Sequence, residues 1–181
     1  MRANLISILL VLTAVSAGCA QVGEGRFTVG AVHRHAECMA TAFPFEPIFL
    51  ASRERAKSLG IFLQSRGGSF QFVDVVYFEV FDPATIEVGV AYPMDPITTP
   101  DSRVVSGVEL GESCPDIEDS LSLEGELVLD SFSREVDGIV AGSVEDARLV
   151  DLRSGELVAD GFTGSFEFPV QVGQPYEEFR N

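Results

Sequence analysis

The sequence predicts an all-β fold: a single antiparallel β-sandwich of about eight to ten strands, with a closed or partly closed β-barrel as the alternative. Three observations predict it. Apolar and polar residues alternate over most of the chain, the pattern of strands with one buried face. Turn signals built on Gly, Asp-Gly and Pro fall between the alternating runs. The chain also carries 14 Phe and no Trp, so Phe-rich strand faces are expected to build the core. Nothing in the pattern sets strand closure, and the sandwich is therefore the first choice.

The elements follow in order. Residues 33–37 (HRHAE) read as part of a strand, which would put His33, His35 and Glu37 on one face. Residues 52–59 (SRERAKSL) precede Gly60 and read either as a short helix capped by that glycine or as a long polar turn. Gly67-Gly68 reads as a hairpin turn into residues 70–81 (FQFVDVVYFEVF), a run apolar on both faces and so a central strand, with Tyr77 in the core. Ile86, Val88 and Val90 alternate with Thr85, Glu87 and Gly89 and read as a further strand. Residues 92–101 hold three prolines and read as a loop, and residues 114–120 as an acidic loop.

The last third reads as a meander over roughly 123–136, 139–152 and 156–172. Leu121, Leu123, Leu127 and Leu129 share one face, and so do Phe162, Phe166 and Phe168. Asp137-Gly138 and Arg153-Ser154-Gly155 are its turns. Gly142, Gly161 and Gly164 mark bulges or close approaches of another backbone.

Charge bounds the partners. The chain has 28 acids against 12 bases, a net charge of −16. The imbalance lies after residue 66, so nucleic acid is excluded as a partner. Cations are scarce, which singles out Arg53, Arg55, Lys57 and Arg66 as a group able to face an anionic surface.

The N-terminus carries a different signal. Arg2 precedes the aliphatic run 5–15 (LISILLVLTAV), and Ser16, Ala17, Gly18 and Cys19 follow. The run is shorter than the ~20 residues that span a bilayer and fits the apolar part of an export signal. Residues 1–19 resemble the lipobox signal peptide of bacterial lipoproteins, with Ser16 where that family usually has Leu. The resemblance implies cleavage before Cys19, lipid on its sulfur, and a membrane anchor. It also implies a location in the cell envelope. Ala20 stands where Asp would favour retention in the inner membrane, so the outer membrane is the expected site. The organisation expected is a signal peptide at 1–18, a lipidated Cys19 with a tether to residue 25, and one β-domain over 26–181. The Gly- and Phe-rich meander is loosely similar to the ends of uncharacterised exported lipoproteins, a likeness that implies no activity.

With Cys19 assigned to lipid, Cys38 and Cys114 are left as a pair in an oxidising compartment, where a disulfide is expected. His33 and His35, with Glu37, are the candidate metal ligands, since alternate residues of a strand point one way. The sequence has no G-x-S-x-G elbow and no phosphate-binding glycine loop followed by Lys-Ser/Thr. No catalytic residue and no cofactor is therefore assigned. The expected function is non-enzymatic: an envelope lipoprotein whose β-domain binds or scaffolds a partner. A carrier of a small apolar ligand in a Phe-lined interior is the alternative, and a metal protein or enzyme using His33 and His35 comes third.

Overall fold

The structure is a computed structural model, and it describes residues 22–67, 72–95, 102–115, 117 and 121–172. The expected export signal, residues 1–18, and Cys19 lie outside the described residues, as do Gly68, residues 96–101, 118–120 and 173–181. Among the described residues nine strands and one α-helix follow one another: β1 (Glu24–Thr28), α1 (Ala36–Ala42), β2 (Phe49–Glu54), β3 (Ser58–Gln64), β4 (Asp74–Phe81), β5 (Ala91–Asp95), β6 (Val104–Leu110), β7 (Leu121–Phe132), β8 (Ile139–Asp151) and β9 (Leu157–Pro169).

All nine strands belong to one mixed sheet, in the order β1-β9-β8-β7-β5-β6-β4-β3-β2. Pairing is antiparallel except between β5 and β6, which meet in parallel at Met94–Val104 and Asp95–Val105. β5 is thus a wedge between β6 and β7, which pair with each other directly at Val108–Leu121. The sheet curls until its two end strands approach, and the result is a nearly closed barrel. Just ahead of β2, Phe45 exchanges two backbone hydrogen bonds with Phe27 of β1, at 2.9 and 2.8 Å. The Arg26–Glu46 ion pair at 3.0 Å lies beside them. The barrel alternative, and not the two-layered sandwich, is the form adopted. Register shifts in β7–β8 and β8–β9 supply the local bends that curl a sheet.

Alternation sorts the side chains as expected over the meander. Leu121, Leu123, Leu127 and Leu129 are fully buried, and Phe162, Phe166 and Phe168 lie with them in one core. Phe27 stacks on Phe162 at 5.5 Å between centroids, and Phe78 on Phe166 at 5.7 Å. Gly164 makes the first of these stacks possible, because a Cβ there would run into the Phe27 ring. Asp137 at φ +64° and Gly155 at φ +71° form the two predicted turns.

Elsewhere the structure corrects the reading. Residues 52–59 are neither a helix nor a long turn. They are the end of β2, a tight turn closed by Arg55 N–H to the Ser58 carbonyl at 2.8 Å, and the start of β3. Residues 86–90 are not a strand. The Tyr92 hydroxyl accepts the Glu87 N–H at 2.7 Å and Gly89 takes φ +76°, which folds the segment into a turn and leaves Val88 and Val90 exposed. The strand is instead β5, inside the proline-rich stretch. Pro93 stands opposite Glu126 of β7, one residue ahead of the two positions, Met94 and Asp95, at which β5 meets β6. Tyr77 lies on the outer face of β4, packed with Phe49, Ala51 and Phe62, and not in the main core.

The barrel has two unlike ends. The chain enters at Gly23, which takes φ +106° where a Cβ would strike Phe168. That end also carries the β2–β3 turn, the β7–β8 turn and the end of β9. The opposite end carries the β3–β4 connection, the β8–β9 turn and α1. α1 sends Met39 and Ala42 into the core, with Phe43 set edge-on to Phe162. The Cys38–Cys114 disulfide joins this helix to the segment after β6, with 5.2 Å between the Cα atoms. The expected disulfide is formed.

Candidate functional site

The HRH motif does not lie on a strand face. Val32 makes an isolated bridge to Ala159, and the His33 N–H bonds the Val158 carbonyl at 2.8 Å. The chain then turns away from β9. His35 takes the left-handed conformation, φ 56°, at the start of α1, and Glu37 stands in the first turn of that helix. The alternation that would have aligned His33, His35 and Glu37 is therefore absent. Among the described residues no group of three or more His, Cys, Asp or Glu is placed to hold a metal ion.

His33 has a different partner. Its Nε2 lies 3.1 Å from Asp160 Oδ2, and Asp160 Oδ1 accepts the Ala31 N–H at 3.0 Å. The backbones of Gly30, Ala31 and Asp160 are joined as well. The His33 hydrogen bond, followed by that from Ala31, holds the Asp160 carboxyl below its ordinary range. Arg34 continues the edge by bonding Glu156, and Asp151 accepts N–H bonds from Arg153 and Ser154. The backbone bond from Ser154 leads in lowering the Asp151 carboxyl. A His–Asp pair can orient an imidazole, but general-base catalysis also needs a nucleophile within reach of the other ring nitrogen. Cys38 is spent in the disulfide. The arrangement clamps the β1–α1 connection onto β9.

The four cations singled out by the sequence do not form one surface. Arg55 pairs with Glu79 at 3.3 Å, and Lys57 is exposed in the same β2–β3 turn. Arg53 lies on β2, with its Nε buried. Arg66 sits past the other end of β3, where it bonds the Phe72 carbonyl and approaches Glu112 at 3.9 Å. The first three share the end at which the chain enters the barrel, and Arg66 does not.

Two features escaped the sequence reading. One is Asp74, buried at the start of β4. Its Oδ1 accepts the N–H groups of Glu112 and Ser113 at 2.9 and 3.0 Å, and its Oδ2 bonds the Ser113 hydroxyl. It thereby fixes the turn that leads into Cys114. The signal available was a lone acid in a run apolar on both faces. The second is the seam of the barrel. Beyond the Phe27–Phe45 bridge, the end of β2 and the end of β9 leave a cleft of about 410 Å³ lined by Ser52, Glu54, Leu59, Arg134, Val170 and Gln171. Arg134 bonds Glu54 across it.

Compared with protein-family models, with curated proteins and with solved structures, the chain matches none.

Proposed function

We propose that this chain is an exported, lipid-anchored envelope protein whose barrel acts without catalysis, by presenting its outer surface and seam to a partner. The observation that carries the reading is the filling of the barrel. Phe27, Phe78, Phe162, Phe166 and Phe168 are all buried and packed on one another. Recognition on such a body belongs to its outside. The same packing weighs against a carrier of an apolar ligand, which needs a preformed space.

The anchor rests on the lipobox-type sequence ending at Cys19, and the site of entry gives it a geometry. β1 begins at Glu24, so four residues separate Cys19 from the strand, a reach of about 14 Å. A Cys19 anchor would stand the barrel on its entry end. The helix, the disulfide and Phe72, which is 72% exposed, would then face away from the lipid. β9 has 13 residues, about 40 Å of strand, and the tilt of barrel strands sets that outward end about 30 Å from the entry end.

Intact-mass spectrometry of protein extracted from membranes tests the anchor. The expected mass is that of a chain beginning at Cys19 with acyl groups added and two hydrogens lost to the disulfide. A chain cut at another bond and carrying no lipid would end the anchored reading. Crosslinking in the envelope from a photoreactive residue at Phe72 tests the orientation, with a protein partner as the expected product and lipid as the contrary one.

A further inference from the structure

We propose that the entry end of the barrel is a lipid-contacting face, which seats exposed valines and cations in the headgroup layer of the membrane. The proposal rests on the Cys19 anchor and adds which residues meet the lipid. Val88, Val90, Val136 and Val172 form the apolar part of this face, each between 41% and 57% exposed. They come from three neighbouring segments. Val136 lies in the β7–β8 turn, whose Asp137 N–H bonds the Val170 carbonyl at 2.9 Å, two residues before Val172. On the other side of β7, the Gly89 N–H bonds the Leu129 carbonyl at 2.8 Å. Val88 and Val90 therefore stand beside the last residues of that strand. Single exposed apolar side chains are ordinary on a protein surface, whereas four gathered on one rim are the pattern of a contact.

Charge and tether point to lipid as the occupant. The same end carries Arg53, Arg55, Lys57, Arg103 and Arg134. Glu79, Asp82 and Glu54 pair with Arg55, Arg103 and Arg134, and Glu24, Glu87, Glu135 and Asp137 are its other acids. Bases and acids nearly balance here, in a chain of net charge −16. This end thus escapes the acidic excess that repels phosphate groups. Long arginine and lysine side chains can reach the headgroup phosphates while the valines meet the apolar edge beneath them. The chain leaves from the rim itself, since Gly23 takes φ +106° against Phe168. No more than about 14 Å of extended chain joins Gly23 to Cys19. The headgroup layer is about 5–8 Å deep, so the rim stays within about 10 Å of it even at full extension. A protein partner would have to enter that gap. With the barrel held there, weak contacts suffice, because the anchor keeps their effective concentration high.

Fluorescence quenching tests the contact, on the full acylated chain in vesicles of phosphatidylethanolamine and phosphatidylglycerol. With Cys19 acylated and Cys38 bonded to Cys114, a cysteine introduced as Val136→Cys or Leu152→Cys is the only free thiol. Leu152 stands in the β8–β9 turn, at the opposite end of the barrel. A nitrobenzoxadiazole label at 136 should be quenched by spin-labelled lipid roughly threefold more than one at 152. Equal quenching at both positions, in protein whose mass shows the acyl groups, would overturn the contact and leave the anchor standing. Protein without acyl groups and absent from the vesicles would overturn both. Val88→Asp/Val172→Asp changes only exposed positions. It should lower the quenching at 136 to the level at 152, with the acyl mass unchanged. Quenching that persists in this variant would show that the label inserts by itself, and would reject the rim.

Discussion

At the scale of single residues, the structure assigns opposite roles to polar groups that look alike in the sequence. Asp74 is buried with its oxygens bonded, whereas Gln64 is buried with neither amide atom bonded among the described residues. A desolvated amide without partners costs about 1–3 kcal/mol. Gln64→Leu should therefore raise stability by roughly 1–2 kcal/mol, read as a higher denaturant midpoint at unchanged slope. A lower midpoint would mean that the amide has a partner. Asp160 gives a pH-dependent prediction. Its carboxyl is lowered in the folded state, first by the His33 bond and then by the Ala31 N–H. The stabilisation is thus present above the ordinary carboxylate pKa, near 4, and is lost as pH falls through the lower folded value. Asp160→Asn should narrow the difference between stability at about pH 6 and at about pH 3, measured by urea unfolding. The effect is small because the pair is exposed to solvent. Neither role was legible beforehand: a run of sequence shows that an acid is rare among apolar neighbours, but not which distant N–H groups will reach it.

At the scale of elements, strands and turns of the meander are legible because each strand carries its own alternation and each turn its own residue types. β7, β8 and β9 lie where the pattern puts them. α1 escaped because seven residues make too short a period to detect, and so short a helix depends on tertiary contacts. Met39 and Ala42 supply those contacts, and the Cys38–Cys114 bond ties the helix across 76 residues of sequence. The pairing of the two cysteines was readable from their count and from the compartment the N-terminus led one to expect, whereas the helix they hold was not. Replacing both by Ala should cost about 2–4 kcal/mol. The loss should appear in chemical denaturation, with amides of α1 exchanging before those of β8. Equal stability with and without the bond would show that packing alone holds the helix. β5 misled in the opposite sense, since its proline reads as a loop signal although the residue stands opposite Glu126 of β7.

At the scale of the whole molecule, one sheet curls nearly closed where two sheets could have stacked. The inward faces are the same in both cases, so alternation alone cannot separate them. Closure is decided by contacts that no local pattern carries: Phe27 with Phe45 across the seam, Phe27 with Phe162 through the interior, and Gly164 leaving room for the Phe27 ring. The acidic excess lies outside this core, where it favours solubility, and the entry end carries Arg53, Arg55 and Lys57. By itself the sequence determined the all-β class, the meander, the inward residues of its strands and the cysteine pair. These depend on neighbours a few positions apart, or on a count. Only the tertiary structure decided the barrel over the sandwich, the separation of His33 from His35 and Glu37, the partner of Asp74 and the open seam. Each of these depends on which distant segments meet, and a period of two says which way a side chain points without saying what it will touch.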